Sequence, residues 1–207
     1  MSEPALSPCA DLVRRGDPDR FLSAMTAPAG RRERLFALYA FNLEIARIPT
    51  LVSEPMLGLI RLEWWREAVD EMFSGGAVRA HEVTTPLAET VRGAALPRAP
   101  FERILSARRA EIEGAPPADR AALDAYLTDT GGALLALSAE AMAPGAGDTE
   151  AVREAGYAFA AAAWLRALPE LLHRGRPALP EGAAPREVAL GVAAEGRAAL
   201  RRARDAA

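Results

Sequence analysis

Apolar residues in this chain recur at three- and four-residue intervals, segment after segment, and nowhere do four to eight β-branched or aromatic residues alternate between turn signals. That pattern confines the chain to an all-α fold. The clearest case is Arg31 to Ile48, where Leu35, Leu38, Tyr39, Asn42 and Ile45 share a face that Phe36, Ala40 and Leu43 widen. A stripe that broad predicts a buried helix, ended or kinked by Pro49. Half of the 207 residues are hydrophobic but only 6% are aromatic, so much of the apolar share is alanine, a strong helix former that lets helices pack closely.

The punctuation divides the rest. Residues 1–18 read as a loose lead-in, followed by a short helix at Asp19 to Met25. Pro55 to Phe73 is the next helix, stopped by Ser74-Gly75-Gly76, with Met56, Leu59, Ile60, Trp64 and Met72 along one side. Pro86 sits well for the start of another. Further helices are expected at Phe101 to Glu113, at Asp119 to Met142 with an interruption at Gly131-Gly132, at Glu150 to Leu172 with a kink at Pro169, and at Arg186 to Arg204. The length suits one domain over 1–207.

Bulk properties exclude several roles. A net charge of -3 gives no global basic field, so no nucleic-acid partner is expected. One cysteine, Cys9, cannot form an internal disulfide, and its place in the lead-in makes it incidental. No basic segment followed by an apolar run opens the chain, so no secretory leader is expected. The longest apolar stretch, Ala155 to Leu165, is too short to span a bilayer, which takes about 20 apolar residues. The expected location is the cytoplasm, peripheral at an inner membrane. His81 and His173 stand apart from any second ligand at metal-binding spacing, and no phosphate loop or nucleophile elbow is present.

The segments RERLFALYAFNLEIARI, RLEWWREAVDEMFSG, SARRAEIEG, DAYLTDTGGALLALSAEAM and LRALPELLHRGRPALP, in that order, resemble the squalene/phytoene synthase family. The paired tryptophans among arginines, Arg61-Leu62-Glu63-Trp64-Trp65-Arg66, carry most of the resemblance. It implies an isoprenoid-synthase-like helical bundle, here C-terminally shortened. It also implies a chemistry that joins two isoprenoid diphosphates, with Mg²⁺ held on aspartates of two facing helices to draw off the diphosphate. By register, the first aspartate set falls at Ala46, Arg47 and Thr50, and the second at Ala167 and Leu171, with only Glu170 acidic nearby. Losing every such carboxylate removes the electrostatic term that dominates phosphate departure. No catalytic residue, no metal ligand and no cofactor are therefore expected.

The run Tyr39-Ala40-Phe41-Asn42-Leu43-Glu44 resembles a non-catalytic branch of the family, which includes an assembly factor of mitochondrial respiratory complex I. The resemblance implies an assembly or interaction role with a protein partner at a membrane complex. Two alternatives stand beside it: a divergent prenyl transferase using Mg²⁺, and a carrier of an isoprenoid or lipid ligand. Tyr39, Asn42, Arg61, Trp65 and Arg66 are the candidate binding residues, the arginines as grips for an anion. At least one of Trp64 and Trp65, about 100° apart on a helix, should be core. Glu63, Glu67, Asp70 and Glu71 read as a solvated face with Arg66 pairing to Asp70, in preference to a substitute metal site. Arg197, Arg201 and Arg204 read as complements to a helix C-terminus rather than as a lipid-binding strip.

Overall fold

Ten α-helices make up the computed structural model, which describes residues 6–52 and 54–207; no strand occurs among them. The lead-in expectation fails over most of its described part. Helix α1 (Pro8–Gly16) begins where the Ser7 hydroxyl accepts from the Ala10 amide at 3.1 Å, and it buries Cys9, Ala10 and Val13. Serine before proline is a sound helix start, and Cys9 and Val13 lie one turn apart. Residues 1–5 lie outside the described residues. Helix α2 (Pro18–Met25) is capped by Asp17, whose carboxylate accepts from the Arg20 amide at 3.0 Å.

Helix α3 (Arg32–Leu51) is the axis of the molecule. Leu35 to Asn42 are buried without a break, because α1, α2, α4 (Pro55–Ser74), α5 (Thr84–Gly93), α6 (Ala99–Glu113) and α8 (Ala133–Met142) all pack around it. Pro49 does not end α3, which runs two residues further. The missing N–H removes one internal bond, and burial of Ile48 and Pro49 compensates.

The face assigned to α4 is corrected. The core takes Leu62, Trp65, Ala68, Val69 and Met72, while Met56 and Ile60 face outward. Both stripes have helical spacing, and only the neighbours decide which is covered. Gly75, at φ +74°, closes α4 in the left-handed region where a side chain would be strained.

The break at Gly131-Gly132 is real. Between α7 (Arg120–Leu127) and α8 the chain forms a π-helical turn, Thr128–Gly132. A Cβ on Gly131 would stand 2.8 Å from Ala160 Cβ, and one on Gly156 3.0 Å from Gly132 Cα. The turn therefore lies nearly backbone to backbone against α9 (Glu150–His173), which carries Pro169 inside it. Helix α10 (Pro185–Asp205) packs along α9. A second, smaller core joins α7, α9 and α10 through Leu123, Leu127, Trp164, Leu168 and Val192.

Candidate functional site

Among the clefts between the described helices, three adjoin residues that the sequence singled out. The first lies between α3, α4 and residues 76–83. Its floor is an aromatic chain: Phe41 meets Trp65 edge-on with centroids 5.6 Å apart, Trp65 meets Trp64 at 5.1 Å, and His81 stands 5.4 Å from Trp64 and 5.6 Å from Trp65. Arg79 lies over Trp64, 5.1 Å from the ring centre, where the ring face attracts the cation. Its guanidinium also donates to both Glu71 oxygens, at 2.6 to 3.1 Å, and to Glu67 at 3.0 Å. Those bonds from Arg79 hold the Glu71 carboxyl below the usual carboxylate range. The cleft has a volume of about 390 Å³ and is lined by Ile48, Leu51, Ile60, Arg61, Trp64 and Trp65 among others.

The second cleft, about 300 Å³, opens beside Tyr39 between α2, α3, α8 and α9. Leu134, Ser138, Phe159 and Ala163 line it, and ion pairs of Arg20 with Asp17 and of Arg166 with Asp19 stand beside it. The third, about 270 Å³, lies between the end of α6, α7 and the last turns of α9. Glu111, Tyr126, Trp164 and Leu171 line it. Behind its wall Arg108 donates to Glu111 at 2.6 Å and to Tyr126 at 2.8 Å, leaving its Nε buried without a partner. Burial pushes the Tyr126 phenol well above its ordinary value. The sequence reading missed this network, because Arg108 and Glu111 are spaced like any surface pair on a helix.

The structure places the five candidate binding residues apart. Arg61 and Trp65 share the first cleft, Tyr39 lines the second, and Asn42 is buried on α3. Arg66 bonds Glu102 of α6 at 2.8 Å. Its expected partner Asp70 instead pairs with Arg98 at 2.6 Å. The acidic side of α4 is thus tied to other parts of the chain as well as solvated: Arg79 holds Glu67 and Glu71, and Arg98, just before α6, holds Asp70. Trp65 is the core tryptophan, and Trp64 is half-buried.

The positions where the resemblance looks for aspartates present other chemistry. Ala46 and Arg47 are half-buried and Thr50 is exposed; Arg47 pairs with Glu44 at 3.3 Å, and the Thr50 hydroxyl donates to the Arg47 carbonyl. On α9, Ala167 is exposed, Leu171 lines the third cleft, and Glu170 is taken by Arg174. Among the described residues no three His, Cys, Asp or Glu side chains come together as metal ligands. Mg²⁺ wants several oxygen ligands in octahedral array, and the groups here do not fit it.

The sequence matches the squalene/phytoene synthase family over residues 13–206. The chain belongs to that family. Among curated proteins it is 31% identical to "NADH dehydrogenase (ubiquinone) complex I, assembly factor 6" of Bos taurus, over 64% of this chain and 39% of that protein. The Drosophila melanogaster homolog of that factor is 29% identical over 83% of this chain and 53% of its own length. The chain thus spans about two fifths to a half of the curated relatives it matches. Among solved structures it is similar to squalene synthase HpnC from Alicyclobacillus acidocaldarius, with TM-score 0.78 and 18% identity over 95% of this chain and 81% of that one. A dehydrosqualene synthase in complex with ligand gives TM-score 0.65 at 17% identity, over 95% of this chain and 72% of that chain. At those identities the solved structures show the isoprenoid-synthase-like fold alone.

Proposed function

We propose that this family member is non-catalytic and works as an assembly or interaction factor, acting at the periphery of a membrane-bound respiratory complex of the complex I type. The observation that carries the reading is chemical. By the register that the family resemblance implies, alanine, arginine, threonine and leucine stand on α3 and α9 where metal-binding aspartates are looked for, so no carboxylate there holds the Mg²⁺ that draws off a diphosphate, and the cation Arg47 is already paired with Glu44. The relatives named as complex I assembly factors support the direction, and so does the absence, among the described residues, of any helix long and apolar enough to cross a membrane. Two measurements test it. Incubation with farnesyl or geranylgeranyl diphosphate and Mg²⁺ should release pyrophosphate at the background rate; turnover above background would reinstate a prenyl transferase. Affinity purification from native membranes should recover subunits of a respiratory complex, and repeated recovery of none would end the assembly reading.

The cleft beside Tyr39 favours a second reading for the same protein. Its walls of Leu134, Leu135, Phe159, Ala162 and Ala163 suit an isoprenoid or lipid chain held without reaction. Native mass spectrometry of the purified protein should then show a bound hydrophobic ligand, lost on Leu134→Trp; an empty protein would rule the carrier role out.

A further inference from the structure

We infer that the cleft between α3, α4 and residues 76–83 is the face that receives a partner polypeptide, and that it takes an apolar side chain flanked by a carboxylate. The inference rests on the interaction role proposed above and specifies where that interaction occurs.

Four large apolar side chains stand in the open around this cleft: Leu51 is 57% exposed, Met56 64%, Leu57 48% and Ile60 60%. Leu51, at the end of α3, and Ile60 line the cleft itself, and Met56 and Leu57 stand one turn before Ile60 on α4. The cleft beside them is preformed, because its floor of Trp64, Trp65 and His81 is locked edge-on and clamped by Arg79. A rigid aromatic floor loses little entropy when a side chain enters it.

Charge names the occupant. Arg47, Arg66 and Arg79, the neighbouring arginines, each hold a carboxylate of this chain. Arg61 lines the cleft, is exposed, and has no carboxylate partner among the described residues. Its guanidinium is available for a bidentate grip on a carboxylate that the chain does not supply. Tryptophan and arginine around a concave apolar centre are the composition of a protein–protein hot spot.

The test uses the full tagged chain in four forms: wild type, Arg61→Glu, Ile60→Asp and, on α10, Leu190→Asp. All three substituted side chains are exposed, so thermal melts should stay at the wild-type midpoint. Each form is mixed with detergent-solubilised native respiratory membranes, and the bound proteins are quantified by mass spectrometry. The expected result is recovery of the same partner with wild type and Leu190→Asp, and a loss of about tenfold or more with the two cleft variants. A photo-crosslinker at position 56 should label a partner peptide in which an Asp or Glu adjoins large apolar residues. Equal recovery by all four forms overturns this surface and leaves the interaction role standing. No recovery by wild type ends both. A dimer of this chain that Arg61→Glu dissociates, or flotation with cardiolipin vesicles that Ile60→Asp abolishes, assigns the cleft to a second copy or to lipid and overturns the inference.

Discussion

Cys9 packs its sulfur against the carbonyl of Glu82, donating at 3.5 Å from a buried position on α1. Burial, reinforced by the charges of Glu33 and Glu82, raises the thiol from 9.0 to about 12. Folding therefore tightens the hold on this proton. Below about pH 9 the thiol is protonated whether the chain is folded or not, and its contribution is complete; as pH climbs toward about 12 only the unfolded chain ionises, and stability falls. Denaturant unfolding should show wild type losing about 2 kcal/mol more than Cys9→Ala between about pH 8 and about pH 10.5. Identical slopes would mean the thiol is not sealed. Tyr157, also raised to about 12 by burial first, is common to both proteins and cancels. At this scale the sequence is a poor guide. It showed Cys9 as one cysteine in a proline-containing stretch, and Arg108 as one more arginine on a polar helix face. Whether such a group is sealed depends on residues far away in the chain, here residue 82 for Cys9 and residue 126 for Arg108. Arg61 and Arg66 read alike in the sequence as candidate anion grips; that Arg66 is already committed to Glu102, 36 residues on, was not legible.

Helices in this chain are set by local punctuation, and their pairing is set by how close two backbones can come. The π-helical turn at Thr128–Gly132 lies so near α9 that Gly131 faces Ala160 and Gly156 faces Gly132. Gly131→Ala should destabilise the protein by about 1–3 kcal/mol, since the new methyl meets a Cβ at 2.8 Å and a Cα at 3.0 Å and neither can rotate away. Gly93→Ala, where a Cβ would meet nothing within 4 Å, is the control and should be neutral or slightly stabilising. Chemical denaturation of both variants checks the pair; equal effects would mean the contact is not tight. The glycine pair announced a break, and its position was readable in advance. The direction of α4 was not. Met56 and Ile60 lie as regularly as Leu62, Trp65 and Val69, and period alone cannot distinguish the stripe that meets Phe41 from the one that meets solvent.

The whole molecule has two cores of unequal depth. The larger surrounds α3; the smaller joins α7, α9 and α10, and α10 packs chiefly on α9. Local opening should follow that division. Amides of α10 are expected to exchange with solvent through openings about 2 kcal/mol or more cheaper than those of α3, and native-state hydrogen exchange would show equal protection if the cores were one cooperative unit. The sequence by itself determined the all-helical class, most helix ends and the burial of the helix at α3. Each of these follows from residue type and spacing along one segment. Only the tertiary structure decided that α1 is part of the core, that Arg61 and Trp65 share a cleft while Tyr39 opens on another, and that Leu51, Met56, Leu57 and Ile60 are left uncovered. Burial is a property of what packs against a face, and a chain does not carry its neighbours' positions in its own period.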